Sequence, residues 1–354
     1  MDTKPLTEPP APADTVRHTL RFEGTAGEYF KIWIVNLALT IVTLGIFSAW
    51  AKVRSKRYFY GNTYIADHAF DYHASPWRIL LGRLIAVVLL SGYSLTAAFA
   101  PWAVGFWALL FVVALPWLIK SSLRFSARNT SYRNLRFDFL GTYWGAVKAF
   151  VLWQIFAVVT LFIALPFAHR ARDYYNINNH SYGTVPFKAK IPVGELYTIY
   201  LFALGIILAV VLAAISVSTA IEIVMRATGT GVAAPFVATF VTAYALGFLT
   251  IPTTVTALTF NLALNSTSLG NDIHFESRLS PLRMIWIVLS NLVVTLISLG
   301  LLYPWSRVRM ARYRANCITV ISSADIGEFT APLVQGGGAV GEEIASFLDI
   351  DFGL

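Results

Sequence analysis

Two nonapeptides 255 positions apart, WAKVRSKRY from Trp50 and WSRVRMARY from Trp305, set arginine or lysine at every second or third position between a leading Trp and a closing Tyr. Guanidinium and ammonium groups at that density bind anions, phosphates above all, while indole and phenol rings favour the polar–apolar boundary of a bilayer. The residues able to do this are Trp50, Lys52, Arg54, Arg57 and Tyr58 in the first arm, and Trp305, Arg307, Arg309, Arg312 and Tyr313 in the last. Trp117 and Arg124 belong to a related arm between them. Two readings of the arms stay open. One is an interface anchor whose cations snorkel to anionic headgroups; the other is a specific lipid-headgroup or anionic-ligand site. Topology needs only basic residues of some kind, whereas Arg54/Arg309 and Arg57/Arg312 recur identically. Duplication of one ancestral segment also explains that identity.

A second set of polar residues lies inside apolar runs. Asn36 and Asn291 each precede their Trp by fourteen positions, and Gln154 precedes Phe167 by thirteen. Thr40 and Thr295 lie one helical turn beyond the asparagines on the same face. Hydrogen bonding between helices, worth about 0.6–2 kcal/mol, is the ordinary use of an amide in hydrocarbon. A solute or ion site at a repeat interface is the sharper use. Arg83, five residues into an apolar run, has a stem long enough to snorkel, and Glu222 with Arg226 has the spacing of a helical ion pair.

Other chemistry has little to stand on. The single cysteine, Cys317, excludes an intramolecular disulfide and any cysteine-based metal cluster. Of the six histidines only His68 and His73 lie close together; they are read as loop residues without metal-ligand spacing. Neither a Gly-rich phosphate loop nor a nucleophile elbow occurs. The expectation is a protein that is not an enzyme, with no catalytic residues, cofactor or metal, and no nucleic-acid partner.

The elements that carry these residues are apolar rods. The 354 residues are 56% hydrophobic and 13% charged, with a formal charge of +8 and a mean hydropathy of +0.63; a soluble domain carries about 25% charged residues. Seven spans are expected at about 30–50, 78–100, 102–119, 146–168, 196–220, 232–252 and 284–305, with tight hairpins joining the second to the third and the fifth to the sixth. Pro116, Pro166, Pro252 and Pro304 sit just before four exits and predict breaks or kinks there. An Asn follows twelve positions after four exits (Asn62, Asn129, Asn179, Asn265). Phe-centred alternating pieces at 19–24, 68–74, 134–141, 184–190 and 272–277 predict strands.

If every span crosses, the basic bias places the N-terminus outside and the C-terminus in the cytoplasm. Residues 20–139 and 135–277 then form inverted three-span units. The rival arrangement pairs all the strands in one sheet on one face and makes the single spans re-entrant. Residues 1–18 read as a disordered tail, 19–320 as a membrane domain of repeats (about 19–139, 135–277 and 272–320), and 321–354 as a tail with a short acidic amphipathic helix. The expected fold class is thus an all-α membrane protein of about seven transmembrane helices built from internal repeats, with short β-strand or hairpin segments outside the membrane.

The stretch from Arg21 to Thr63, with FDYHASPWRILLGR from Phe70 and the ending GEEIASFLDIDFGL, closely resembles the YjgN family of bacterial inner-membrane proteins. That resemblance implies a multi-pass protein of the bacterial inner membrane and supplies no catalytic residues. The residues themselves favour a permease-like or channel-like role for a small, anionic solute. The competing class is a non-transporting scaffold that organises lipid or a partner through its basic aromatic arms, with anionic headgroups of the bilayer as its partner. Oligomeric state is not legible.

Overall fold

In the computed structural model, which describes residues 16–228 and 234–322, helical hairpins alternate with short strands. After β1 (Val16–Thr19) and β2 (Arg21–Phe22), α1 (Ala26–Val42) runs out and α2 (Ser48–Gly61) returns to β3 (Thr63–Ile65) and β4 (His68–Tyr72). A longer pair, α3 (Pro76–Phe99) and α4 (Val104–Arg128), leads to β5 (Thr130–Tyr132) and β6 (Leu135–Phe139). The third hairpin rises through α5 (Tyr143–Val147), a π-helical stretch Lys148–Leu152 and α6 (Trp153–Val159), and returns as α7 (Leu165–Asn178). It feeds β7 (His180–Tyr182) and β8 (Val185–Ala189). The longest pair, α8 (Val193–Ala227) and α9 (Ala234–Asn265), precedes β9 (Thr267–Leu269) and β10 (Ile273–Ser277). Finally α10 (Pro281–Ile297) and α11 (Tyr303–Asn316) end on β11 (Ile318–Ser322).

All the strands join one 11-stranded sheet in the order β1-β11-β10-β9-β8-β7-β6-β5-β4-β3-β2. Its two ends, β1 and β2, are separated in the chain by Leu20 alone, so the covalent backbone closes the sheet into a ring. That leaves only the short free edges of β1 and β2 open to further strands. The interior is filled: Tyr132, Tyr182, Leu269, Ile273 and Val320 are buried there, with Phe70, Phe137, Phe187 and Phe275 packed against them. Neighbouring rings stand 5.0 Å (Phe70–Tyr132), 5.0 Å (Phe137–Tyr182) and 5.9 Å (Phe187–Phe275) apart. Each such pair adds about 0.5–1.5 kcal/mol beyond area burial. The phenols in this core are satisfied, Tyr132 donating to the Ile65 carbonyl at 2.7 Å and Tyr182 to that of Tyr132 at 2.8 Å.

The same joint recurs where helices enter the sheet. A strand-end N–H donates to the carbonyl at the foot of a returning helix five times: Glu23 to Asn62, His73 to Asn129, Leu140 to Asn179, Lys190 to Ser266 and Arg278 to Cys317, all at 2.8–2.9 Å. Three of the recurrent asparagines cap these feet, and the fourth reaches across to a strand. Asn62, Asn129 and Asn179 donate to the carbonyls of Tyr58, Phe125 and Tyr175 at 2.8 Å, and Asn265 to that of Ser277 at 3.3 Å.

The arrangement corrects the expected topology. Strands from every segment share one sheet, so every arm leaves the helices on the same side, and inverted three-span units do not form. β1 pairs with β11, so the first and last described strands lie side by side at the same end of the helices. Instead of seven spans, the described residues contain four helices long and apolar enough to cross a membrane: Pro76–Phe99, Pro101–Arg128, Val193–Ala227 and Thr239–Asn265. The other three expected spans are each folded back on themselves.

Their reversals share one design. At Thr43-Leu44-Gly45, Thr160-Leu161-Phe162 and Ser298-Leu299-Gly300 the second and third residues take positive φ, from 49° to 93°. The hydroxyl of the first accepts from a backbone N–H four residues on, at Phe47 (2.9 Å), Ala164 (3.1 Å) and Leu302 (3.0 Å). The third residue's N–H reaches back five residues, to Thr40, Ala157 and Thr295, at 2.7–2.8 Å. The tips are apolar and bare, Leu44 being 94% exposed, Leu161 82% and Leu299 93%. A turn whose backbone is satisfied internally and whose surface is hydrocarbon is suited to lipid.

The prolines fall into two groups, and the breaks expected of them occur at two of the four. Pro116 and Pro252 lie inside continuous helices, and Pro166 and Pro304 open new ones. A side-chain hydroxyl meets the carbonyl three residues before three of them: Tyr143 on Val113 at 3.0 Å, Tyr197 on Ile163 at 2.8 Å and Thr253 on Leu249 at 2.6 Å. The N-terminal tail up to residue 15 and the acidic helix expected in the C-terminal tail lie outside the described residues.

Candidate functional site

The intramembrane amides and the basic arms, separate sets in the sequence, form a single site in the first and last hairpins. Asn36 on α1 donates from Nδ2 to the Ala51 carbonyl of α2 at 3.5 Å, and its Oδ1 accepts from Arg54 at 3.4 Å. On α10 and α11 the pattern repeats with tighter bonds. Asn291 donates to the Ser306 carbonyl at 3.2 Å and accepts from Arg309 at 3.1 Å. Arg309 also donates to Ser290 Oγ at 2.6 Å, and its guanidinium lies 5.0 Å over the Trp305 ring. Asn36 is 4% exposed. The threonines diverge: Thr40 bonds the Asn36 carbonyl of its own helix at 2.6 Å, while Thr295 pairs with Ser306 Oγ across the hairpin at 3.1 Å.

Gln154 does not belong to this set. Counted from the tips, Trp153 stands where Asn36 and Asn291 stand, eight residues before Leu161, and Gln154 is one residue out of register. The position matching Arg54 and Arg309 is Ala171. Trp153 instead stacks on Phe167 at 5.9 Å.

Other arm residues turn out to hold the architecture. Arg57 and Arg124 donate from Nε to the Tyr72 and Phe139 carbonyls at 3.2 Å, and Arg312 donates to the Gly24 carbonyl at 3.0 Å. Each ties a returning helix to a strand exit. Tyr58, Tyr175 and Tyr313 donate to the carbonyls of Thr25, Thr142 and Ser280 at 2.8, 3.0 and 3.1 Å. Those three accept at the N-caps of α1, α5 and α10. In the three short hairpins a tyrosine of the returning helix thus clamps the start of its partner helix. Trp50 meets Trp77 edge-on at 5.0 Å, and Trp117 is half-buried in α4. Arg307 on α11 lies 5.5 Å from the Phe59 ring of α2, linking the last hairpin to the first, and Lys52 is half-buried on α2. Arg83 bonds Ser48 Oγ in the neighbouring hairpin, and Glu222 pairs with Arg226.

The histidines also differ from expectation. His68 lies in β4, and His73, just beyond that strand, meets Ser131 Oγ at 2.7 Å. His169 has Nε2 3.1 Å from Asp173 and Nδ1 2.8 Å from the Tyr200 hydroxyl, and Arg172 lies 3.6 Å from the same carboxylate. With its proton on Nε2 the ring donates to Asp173 and accepts from Tyr200. Its spacing with Asp173, four apart on a helix, was the available signal. Among the described residues no group of three His, Cys, Asp or Glu could hold a metal ion.

Large apolar side chains along the long helices, among them Val88, Phe106, Leu201 and Leu212, are exposed in the isolated chain and call for a lipid cover. The class is therefore a membrane protein whose helical hairpins stand on one closed, filled sheet. The chain belongs to the family described as bacterial protein of unknown function (DUF898), whose model matches residues 17–347. It is 24% identical to the inner membrane protein YjgN of Salmonella typhimurium over 90% of this chain and 92% of that one. Shorter matches reach 30% with the YjgN of Escherichia coli O157:H7 (44% of this chain, 40% of that one) and 34% with that of strain K12 (36% and 32%). No solved structure matches.

Proposed function

We propose that this protein is a non-transporting organiser of the membrane leaflet next to its sheet, where its half-length hairpins displace lipid and its arms gather anionic headgroups. The observation that carries this reading is the filled ring: aromatic and aliphatic side chains close the axis of the sheet, where a conduit would run. The permease-like alternative leaned on Asn36 and Asn291 as solute ligands. Their polar atoms have partners within their own hairpins, so hydrogen bonding already explains them.

Depth supports the same reading. Trp50 meets Trp77, and Ser48 meets Arg83, so the first hairpin is in register with the start of α3. At about 1.5 Å per residue, the Leu44 tip stops roughly 18 Å short of Phe99 at the far end of α3. The ten residues from Leu44 to Arg54 span about 15 Å, half of a hydrocarbon core about 30 Å thick. A tip at the mid-plane therefore places Arg54 at the headgroups of one leaflet and Phe99 with Trp102 at the opposite face. Positive-inside bias assigns the sheet and both described ends to the cytoplasm.

The test is reconstitution. In proteoliposomes of mixed anionic and zwitterionic lipid the protein slows a fraction of spin-labelled anionic lipid, while phosphate, chloride and amino-acid flux stay at the level of empty vesicles. Flux above that level, with unselective lipid motion, would return the permease reading.

A further inference from the structure

Among the described residues no carboxylate forms an ion pair with Arg54 or Arg309. Arg54 donates to an amide oxygen, and Arg309 donates to an amide oxygen and a hydroxyl and lies over an indole face. Carboxylates elsewhere do find arginines: Asp138 pairs with Arg128 at 2.8 Å, and Glu276 with Arg17 at 3.4 Å. The Arg309 guanidinium, half-buried beside indole, and the exposed Arg54 guanidinium each have neutral acceptors on one edge, which keeps N–H donors for an anion on the other.

The two positions are equivalent. Each lies four residues past the arm's Trp and ten past the tip, and each is oriented by an asparagine from the opposite leg of its hairpin. The third short hairpin has Ala171 and Trp153 at those places and serves as an internal contrast. The two sites belong to neighbouring hairpins, because α11 packs against α1, with Trp33 and Tyr303 rings 6.2 Å apart on that seam. Arg307 reaches the Phe59 ring of α2 between the same two hairpins.

We infer that Asn36/Arg54 and Asn291/Arg309 are two matched phosphate sites, each taking the phosphodiester of one anionic glycerophospholipid. The inference rests on the leaflet reading above for its depth and adds ligand class, residues and stoichiometry to it. The asparagine positions the guanidinium; the guanidinium, presenting two parallel donors, binds the phosphate. A lysine would keep the charge and lose that geometry.

The test uses the full chain in nanodiscs of phosphatidylglycerol diluted in phosphatidylcholine, with tightly bound lipid counted by native mass spectrometry after release. Two phosphatidylglycerols per chain are expected, one in Arg54→Lys or Arg309→Lys, and none in the double variant. Brominated phosphatidylglycerol should quench tryptophan fluorescence in the wild-type protein more than brominated phosphatidylcholine does, a readout that needs no variant to fold. Inorganic phosphate added alone separates the sources: displacement of the bound lipid by phosphate would overturn the lipid assignment in favour of a free anion. Retention of both lipids by the double lysine variant, or equal quenching by the two brominated lipids, would overturn the sites themselves. Hairpin depth is measured without these residues, so a failed lipid count leaves the leaflet reading to its own test.

Discussion

At the scale of single residues, recurrence in sequence marked positions that share a partner, and the partners were out of sight. Arg57, Arg124 and Arg312 all lie seven positions past an exit, which is legible; that each holds a strand-end carbonyl depends on the sheet. Asn36 and Arg54 are eighteen residues apart and meet only because the chain reverses between them. His180 makes a prediction at this scale. It opens β7 with its ring against Phe139, and desolvation lowers its pKa despite the Asn176 carbonyl and the nearby Asp138. The unfolded chain takes a proton near pH 6.5 that the folded chain refuses. Stability is therefore fully present above that value and falls as pH drops through it toward the lower folded pKa. Thermal unfolding in detergent should show a lower Tm at about pH 5.5 than at about pH 7.5, and His180→Gln should reduce that difference. An unchanged difference would place the acid sensitivity elsewhere. Tyr182, two residues on in the same strand, has its hydroxyl pKa pushed up to about 12 by burial, so it stays a hydrogen-bond donor at any working pH.

At the scale of elements, the strands were legible and the reversals were not. Alternation around a central Phe located four of the inner strands because period two survives in a short segment. A run of twenty-one apolar residues, by contrast, has the length of one crossing and equally of two legs and a turn, since both surfaces face lipid. Leu44 and Leu299 in left-handed backbone look like any other leucine in such a run. Only Gly45 and Gly300 hinted at the turn; their φ values are +93° and +89°, and a Cβ there would meet nothing within 4 Å. That openness isolates backbone strain from packing. Gly45→Ala and Gly300→Ala should each cost about 1–2 kcal/mol of stability, measured by denaturant titration in mixed micelles. Gly61, which is helical with equally open surroundings, should cost nothing on the same change. Equal losses at the three glycines would remove the left-handed turn as their cause.

At the scale of the whole molecule, a closed sheet gathers helical hairpins of two lengths on one face. Composition was enough to recognise a membrane protein, and spacing was enough to see related segments. What it could not supply was the pairing of β1 with β11 across almost the whole described chain, the contact that closes the ring. Everything proposed about leaflet and ligand follows from short hairpins turning back inside the bilayer. The direct measurement is thiol accessibility in sealed, oriented vesicles, with single cysteines at 44, 161, 299 and 102 in a Cys317→Ser background. The account predicts that a membrane-impermeant maleimide labels position 102 from the face opposite the sheet, and labels positions 44, 161 and 299 from neither face. Labelling of those three tips from the face opposite the sheet would mean that the short segments cross the bilayer, and would contradict it.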